Sequence, residues 1–204
     1  MNADDVREGW ATRSTEYSPG YYAYYGPNET SERVRRVLDR LVRRDAAVLE
    51  LGCSSGRHLE HLREAGYSDL HGVDINDDAF DVMAREYPDL AEAGTFHHGA
   101  IEDVVVGFED DAFDVVFSVQ TLQHVHADET SVFAELARIA GDLLVTVEAV
   151  DEDAPEQGEP PVSYENGDFP LYFRDWEAIF TDYGMEQVEV EPVGRDAMRV
   201  FRQE

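Results

Sequence analysis

Residues 46–62 read AAVLELGCSSGRHLEHL, and this stretch decides the fold. An apolar run from Ala46 to Leu51 ends abruptly in Gly52-Cys53-Ser54-Ser55-Gly56, after which Leu59 and Leu62 recur three apart. The pattern predicts a buried strand, a tight glycine loop and a helix. Two glycines let the backbone turn sharply and approach a ligand closely. The helix start offers free N–H groups to an electron-rich ligand. Glu50 stands at the carboxyl end of the strand, where open α/β sheets bind their ligands.

The same alternation continues on both sides. Val34, Val37, Leu38, Leu41 and Val42 give one apolar face to a helix over Thr30–Arg44, with Thr30 or Ser31 as its cap. Asp69–Asp74 reads as a second strand, and Asn76 as the cap of a helix that Pro88 ends. Thr95–His98 is a third strand. Phe113–Val119 is a fourth, with the near-continuous apolar run of a sheet covered on both faces. A helix from about Asp128 is broken at Gly141, and Leu143–Val150 follows as a fifth strand. Arg174–Tyr183 predicts a helix. Met185–Glu191 and Ala197–Phe201, joined by Pro192-Val193-Gly194, predict an antiparallel pair. The expected fold is therefore α/β: a Rossmann-like, doubly wound, seven-stranded, mostly parallel sheet with a C-terminal antiparallel hairpin and helices on both faces. Residues 30–204 form one domain in this reading. Residues 1–29 are an irregular aromatic segment and a candidate lid, with Trp10, Tyr17, Tyr21, Tyr22, Tyr24 and Tyr25 among prolines and glycines. Asp151–Asp168, with three prolines and two glycines, reads as a long loop.

Composition narrows the function classes. The 204 residues are 43% hydrophobic, enough for one sizeable core. No apolar run approaches a membrane span and the N-terminus is polar, so a cytoplasmic protein with no membrane partner is expected. A single cysteine, Cys53, excludes an intrachain disulfide and a cysteine-built zinc site; in the glycine loop it reads as a small buried residue. There are 45 acidic and 16 basic residues, a net charge of -29, and every basic residue other than histidine is arginine. This resembles proteins of salt-loving archaea, whose acidic surfaces stay soluble when salt screens charge. The melting temperature is expected to rise between dilute buffer and molar KCl; no rise would remove the salt-adaptation reading. Such a field disfavours nucleic acid, which needs a basic face.

The loop also selects its ligand. A dinucleotide site would show Gly-x-Gly-x-x-Gly against a pyrophosphate. Here the spacing is Gly52-x-x-x-Gly56 without the central glycine, which disfavours a nicotinamide oxidoreductase and suits a ligand such as S-adenosylmethionine. From about Val34 onward the chain resembles the class I S-adenosylmethionine-dependent methyltransferases. Four segments carry the resemblance in order: VLELGCSSGRHLEHL, HGVDIN, FHHGAIED and FDVVFSVQTLQHV. The resemblance implies methyl transfer and a cofactor site in which Gly52, Cys53, Ser54 and Gly56 act through backbone and close approach. Asp74 would grip the ribose hydroxyls, as a carboxylate at a strand end is able to do. Glu50 would meet the amino group of the methionine moiety, Ile75 would pack on adenine, and Ser118 and Val119 would lie near the methionine end. Many relatives carry an aspartate after the residue matching Gly99; here it is Ala100, leaving the Ile101 N–H and Glu102 to serve the adenine.

The methyl acceptor is less legible. His124, at a position the family often fills with histidine, reads either as a general base or as a histidine holding its loop. Tyr17, Tyr21, Tyr25, Tyr164, Phe169, Tyr172 and Arg174 are candidate pocket or lid residues, each with a core-packing alternative. His97-His98 and the His58/His61 pair lack a visible third ligand, so no metal is expected. A small-molecule acceptor is the expected partner. The alternative is a non-catalytic protein that binds S-adenosylmethionine with the same fold.

Overall fold

The structure is a computed structural model that describes residues 1–150, 161–165 and 169–203. It begins with helices α1 (Ala3–Ala11), α2 (Pro19–Tyr25) and α3 (Glu29–Leu41). Then come β1 (Ala47–Leu51), α4 (Arg57–Glu64), β2 (Asp69–Asp74), α5 (Ala79–Glu86), α6 (Pro88–Ala93), β3 (Thr95–His98), α7 (Ile101–Val104) and β4 (Phe113–Val119). Two 3-10 turns, Leu122–His124 and Ala127–Glu129, lead to α8 (Val132–Ile139) and β5 (Ala140–Ala149). β6 (Val162–Glu165), β7 (Phe169–Tyr172), α9 (Trp176–Asp182), β8 (Met185–Val193) and β9 (Asp196–Gln203) complete the chain.

The main sheet has seven strands in the order β3-β2-β1-β4-β5-β9-β8. β1 to β5 run parallel, and β9 returns antiparallel beside β5 and pairs with β8. This is the predicted architecture. The sequence order reverses between β1 and β4, so the carboxyl ends of these strands open a crevice there. Strand alternation divides the core into two layers. Leu49, Leu51 and Val116 face Phe133, Leu136, Trp176 and Phe180 of α8 and α9. Val48, Val115 and Phe117 face Leu38, Leu59, Leu62 and Met83 of α3, α4 and α5. Each fully buried side chain of this size contributes roughly 1.5–3 kcal/mol through burial.

Several local expectations are corrected. Residues 1–29 are not irregular. Asn2 and Asp5 form a reciprocal capping box that starts α1, and Ser18 caps α2 with Pro19 in its first turn. The helix read from Thr30 starts at Glu29, because Asn28 is the cap and Ser31 completes its capping box. Asn76 does not cap α5. Its Oδ1 accepts from the Asp78 N–H, while its Nδ2 donates to the carbonyls of Trp10 and Arg13. Pro88 ends α5 and also opens α6, an unpredicted helix. Gly141 lies inside β5 rather than before it, since α8 already ends at Ile139. The loop read over Asp151–Asp168 contains β6, which pairs antiparallel with β7 in a second small sheet. The remainder of that segment, 151–160 and 166–168, lies outside the described residues. Among the described residues, no helix is long and apolar enough to cross a membrane.

Candidate functional site

The crevice at the carboxyl ends of β1, β2 and β4 is a cleft with two walls. One is made by the glycine loop and strand ends: Glu50, Gly52, Cys53, Ser54, Asp74, Ile75, Ala100, Ile101, Glu102 and Val119. The other comes from Val6, Arg7 and Trp10 of α1 and from Tyr17, Pro19 and Tyr22 at α2. Gln120, Thr121 and His124 close the end beyond β4.

The glycine loop turns where left-handed backbone is needed. Gly52 has φ 67°, and a Cβ there would collide with Thr121. Gly56 has φ 84°, but its close approach is to Leu90 and Met83, so it packs α4 against α5 and α6 and does not line the cleft. Ser54 holds φ 50° without being glycine. Its strain is offset by its N–H, which donates to Asp74 Oδ2 at 2.6 Å. Asp74 Oδ1 accepts from the Asn76 N–H at 2.8 Å. Burial raises the Asp74 pKa despite these two donors, and each oxygen retains lone-pair capacity for a ligand donor. Glu50 is 1% exposed, and its Oε2 has no hydrogen-bond partner among the described residues. Desolvation pushes its carboxyl well above the usual range. Burial likewise holds the Cys53 thiol protonated, so it is no nucleophile.

Ile101 and Glu102 lie at the β3 end of the cleft. Glu102 is raised by desolvation and faces Arg7, which also reaches Asp103 and Glu129. Ser118 is a correction. It is fully buried and turned from the cleft, with its Oγ donating to Glu148 at 2.6 Å. Neighbouring strand residues point to opposite faces, so Ser118 and Val119 cannot both line one site.

Glu148 was not singled out from the sequence. It stands on β5 and organises the loop that carries His124. Besides Ser118, its carboxylate accepts from the N–H groups of Thr121, Leu122 and Gln123 at 3.3, 3.1 and 3.2 Å. The signal available was an acid in the run LLVTVEAV, whose other residues are apolar except Thr146. Arg174, read as a pocket residue, instead holds this loop from its other side, donating to the carbonyls of Leu122 and Val125 at 3.1 and 2.5 Å. His124 Nδ1 lies 2.8 Å from the Pro170 carbonyl, which can only accept. The proton is therefore assigned to Nδ1, making Nε2 the ring's acceptor. Trp10 packs on the same imidazole, with ring centroids 4.8 Å apart, and stacks on Phe169.

Of the other aromatics proposed for the pocket, Tyr17 lines it. Tyr25 and Tyr164 are exposed, and Tyr21 packs among its neighbouring tyrosines. Tyr172 is buried against Arg174 and His126. His58 Nδ1 meets Ser31 Oγ at 2.7 Å and His61 meets Glu32 at 3.1 Å, which accounts for both without a metal. No group of three or more metal-binding side chains occurs among the described residues.

Structural comparison finds this architecture in methyltransferases. A Burkholderia thailandensis 1,6-didemethyltoxoflavin-N1-methyltransferase, with bound 1,6-didemethyltoxoflavin and S-adenosylhomocysteine, aligns with a TM-score of 0.72 at 16% identity, over 98% of this chain and 88% of that one. The Synechocystis magnesium protoporphyrin IX methyltransferase with bound S-adenosylmethionine aligns with a TM-score of 0.65 at 16% identity, over 98% and 90%. The chain has the class I methyltransferase fold. Residues 49–142, just under half of this methyltransferase-fold chain, match the methyltransferase domain family. A Streptomyces fradiae dTDP-3-amino-3,6-dideoxy-alpha-D-glucopyranose N,N-dimethyltransferase is 28% identical over 125 residues, 59% of this chain and 46% of that one. A Penicillium expansum O-methyltransferase is 25% identical over 161 residues, 70% and 58%. The chain thus spans about half the length of these curated relatives.

The donor set of the cleft fits S-adenosylmethionine. Glu50 Oε2 and Ser54 Oγ are buried without hydrogen-bond partners among the described residues, and Asp74 keeps acceptor capacity beside them. A sulfonium amino acid joined to adenosine carries the complementary ammonium and hydroxyl donors.

Proposed function

We propose that this chain is an S-adenosylmethionine-dependent methyltransferase acting on a small-molecule acceptor. The observation that carries the reading is the pair of buried acids flanking the glycine loop: Glu50, with an unpartnered oxygen, and Asp74, fastened to the loop backbone. When bound, the cofactor supplies an electrophilic methyl group. Glu50, Asp74 and Ser54 hold and orient the ligand, and Ile75, Ile101 and Glu102 flank its base. Residues 1–29 serve as a cover that excludes water. This cover is tied down by Asn76 and by the Asp77 N–H, which donates to Ala11. The other side of the cleft, at Gln120, Thr121 and His124, takes the acceptor. Such sites act mainly by positioning and desolvation. His124 Nε2 accepts a proton where the acceptor must lose one. The acidic surface suits a protein that works in concentrated salt inside the cell.

Calorimetry with S-adenosylhomocysteine in molar KCl, followed by a methyl-transfer screen over small amines, phenols and hydroxy compounds, tests the proposal. Binding and turnover are expected. Tight binding without turnover on any acceptor would favour a non-catalytic binding protein. His124→Asn is expected to lower kcat by roughly 100-fold or more, the scale of general-base catalysis, with the Kd for S-adenosylhomocysteine nearly unchanged. Equal turnover would make His124 a loop-holding residue.

A further inference from the structure

Asn76 is buried two residues beyond Asp74, between the two walls of the cleft. Its backbone N–H donates to Asp74 Oδ1 at 2.8 Å, and its own Oδ1 accepts from the Asp78 N–H at 3.0 Å. Its Nδ2 donates both hydrogens to α1, one to the Trp10 carbonyl at 2.8 Å and one to the Arg13 carbonyl just past the helix at 3.0 Å. The reverse amide orientation would set Oδ1 against two carbonyl oxygens, so the partners fix the assignment. A helix leaves its last four carbonyls without partners inside it. Trp10 and Ala11 end α1, and the Ala11 carbonyl accepts from the Asp77 N–H at 3.1 Å. The end of α1 therefore hangs on the turn that follows Asp74.

Helix α1 in turn reaches the acceptor side. Trp10 packs on the His124 imidazole and stacks on Phe169. Pro170, the next residue of β7, takes the His124 Nδ1–H. Gly9 lets the helix come this close, since a Cβ there would stand 2.6 Å from the Phe169 ring. We infer that Asn76 is a positioning residue that couples the two sides of the cleft: ribose hydroxyls donating to Asp74 order the 74–78 turn, which seats α1 and sets Trp10 against His124. This rests on the cofactor reading above and adds an order to it, in which the acceptor wall assembles on the cofactor-loaded protein. Donors on Asp74 favour its charged form, and a charged carboxylate holds the Asn76 N–H more strongly than a neutral one.

The test is hydrogen exchange of the α1 amides in molar KCl, with and without S-adenosylhomocysteine, in wild type and in Asn76→Ser. Serine keeps the backbone donor to Asp74 and an oxygen for the Asp78 N–H, but loses both bonds to α1. In wild type the ligand should slow α1 exchange by about tenfold, a common size for coupling between sites. In Asn76→Ser that slowing should all but vanish at α1 while residues 52–56 stay protected. A rise in α1 exchange that is equal with and without ligand, leaving the wild-type ratio intact, would make Asn76 merely structural and overturn the coupling. No slowing in wild type, with calorimetry showing the ligand bound, would overturn it too and leave the cofactor site standing. A second comparison needs no variant to fold. Val6 and Arg7 of α1 line the cleft, so direct contact is the competing cause of protection. Adenosine, which carries the ribose hydroxyls, should slow α1 exchange in wild type, and adenine at equal occupancy should not. Equal slowing by both would assign the effect to direct contact and remove the link through Asp74. Failure of S-adenosylhomocysteine to bind would reject the cofactor site itself, and the coupling with it.

Discussion

Asp74→Ala is expected to weaken S-adenosylhomocysteine binding by roughly 5- to 150-fold, corresponding to ~1–3 kcal/mol for a buried hydrogen-bonded group. The loss has two sources. The ribose hydroxyls lose their acceptor, and the Ser54 and Asn76 N–H groups lose theirs. The second loss also frees Ser54 from the contact that holds its positive φ, so the variant should melt earlier without ligand. Asp74→Asn separates the two effects: its side-chain oxygen can keep one backbone bond, while its amide places donors where a ribose hydroxyl would donate. Calorimetry and ligand-induced shifts in melting temperature measure both. The pH dependence has a definite sign. Burial raises the Asp74 pKa, so the acceptor is lost as pH falls through that raised value, and affinity should fall with it. Unchanged affinity in both variants would remove Asp74 from the site.

The parts of this site that could be read from sequence are local. Gly52 to Gly56 combines a turn, a strand end and a helix start in consecutive residues, so type and spacing alone reveal it. Asp74 ends a short strand, and its β2 bounds match the expectation residue for residue. Tertiary partners are different. Glu148 is 25 residues from Gln123, Arg174 is 52 from Leu122, and Asn76 is 66 from Trp10; no periodicity links such pairs. Ser118 was misplaced for another reason: a motif marks a strand end without saying which alternate residue turns toward the ligand. Helix α2 was hidden because glycine and tyrosine have poor helix propensity, and capping by Ser18 with Pro19 in the first turn outweighed it.

Glu148→Ala should be the most damaging change outside the cofactor wall, costing about 3–5 kcal/mol, the range for breaking a buried charged network. It would strand the Ser118 hydroxyl and three backbone N–H groups at once. Arg174 would remain opposite on the carbonyls of the same loop, its pKa already lowered to about 10 by burial. Carboxylate and guanidinium thus clamp one turn, one by its donors and the other by its acceptors. Glu148→Gln tests the charge separately. Burial raises the Glu148 pKa from 4.5 to about 7, so between these values the folded protein holds a proton that the unfolded chain has released. The stabilisation is fully present below the unfolded value and is lost as pH rises through about 7. A shift of this size is worth ~3 kcal/mol. Glu50 and Asp74 contribute slopes of the same sign, so the variant should flatten the wild-type decline between pH 5 and 8 without abolishing it. Denaturant unfolding at both pH values in molar KCl measures the difference. Parallel slopes in wild type and variant would mean that Glu148 stays charged throughout, held by its four donors against the cost of burial.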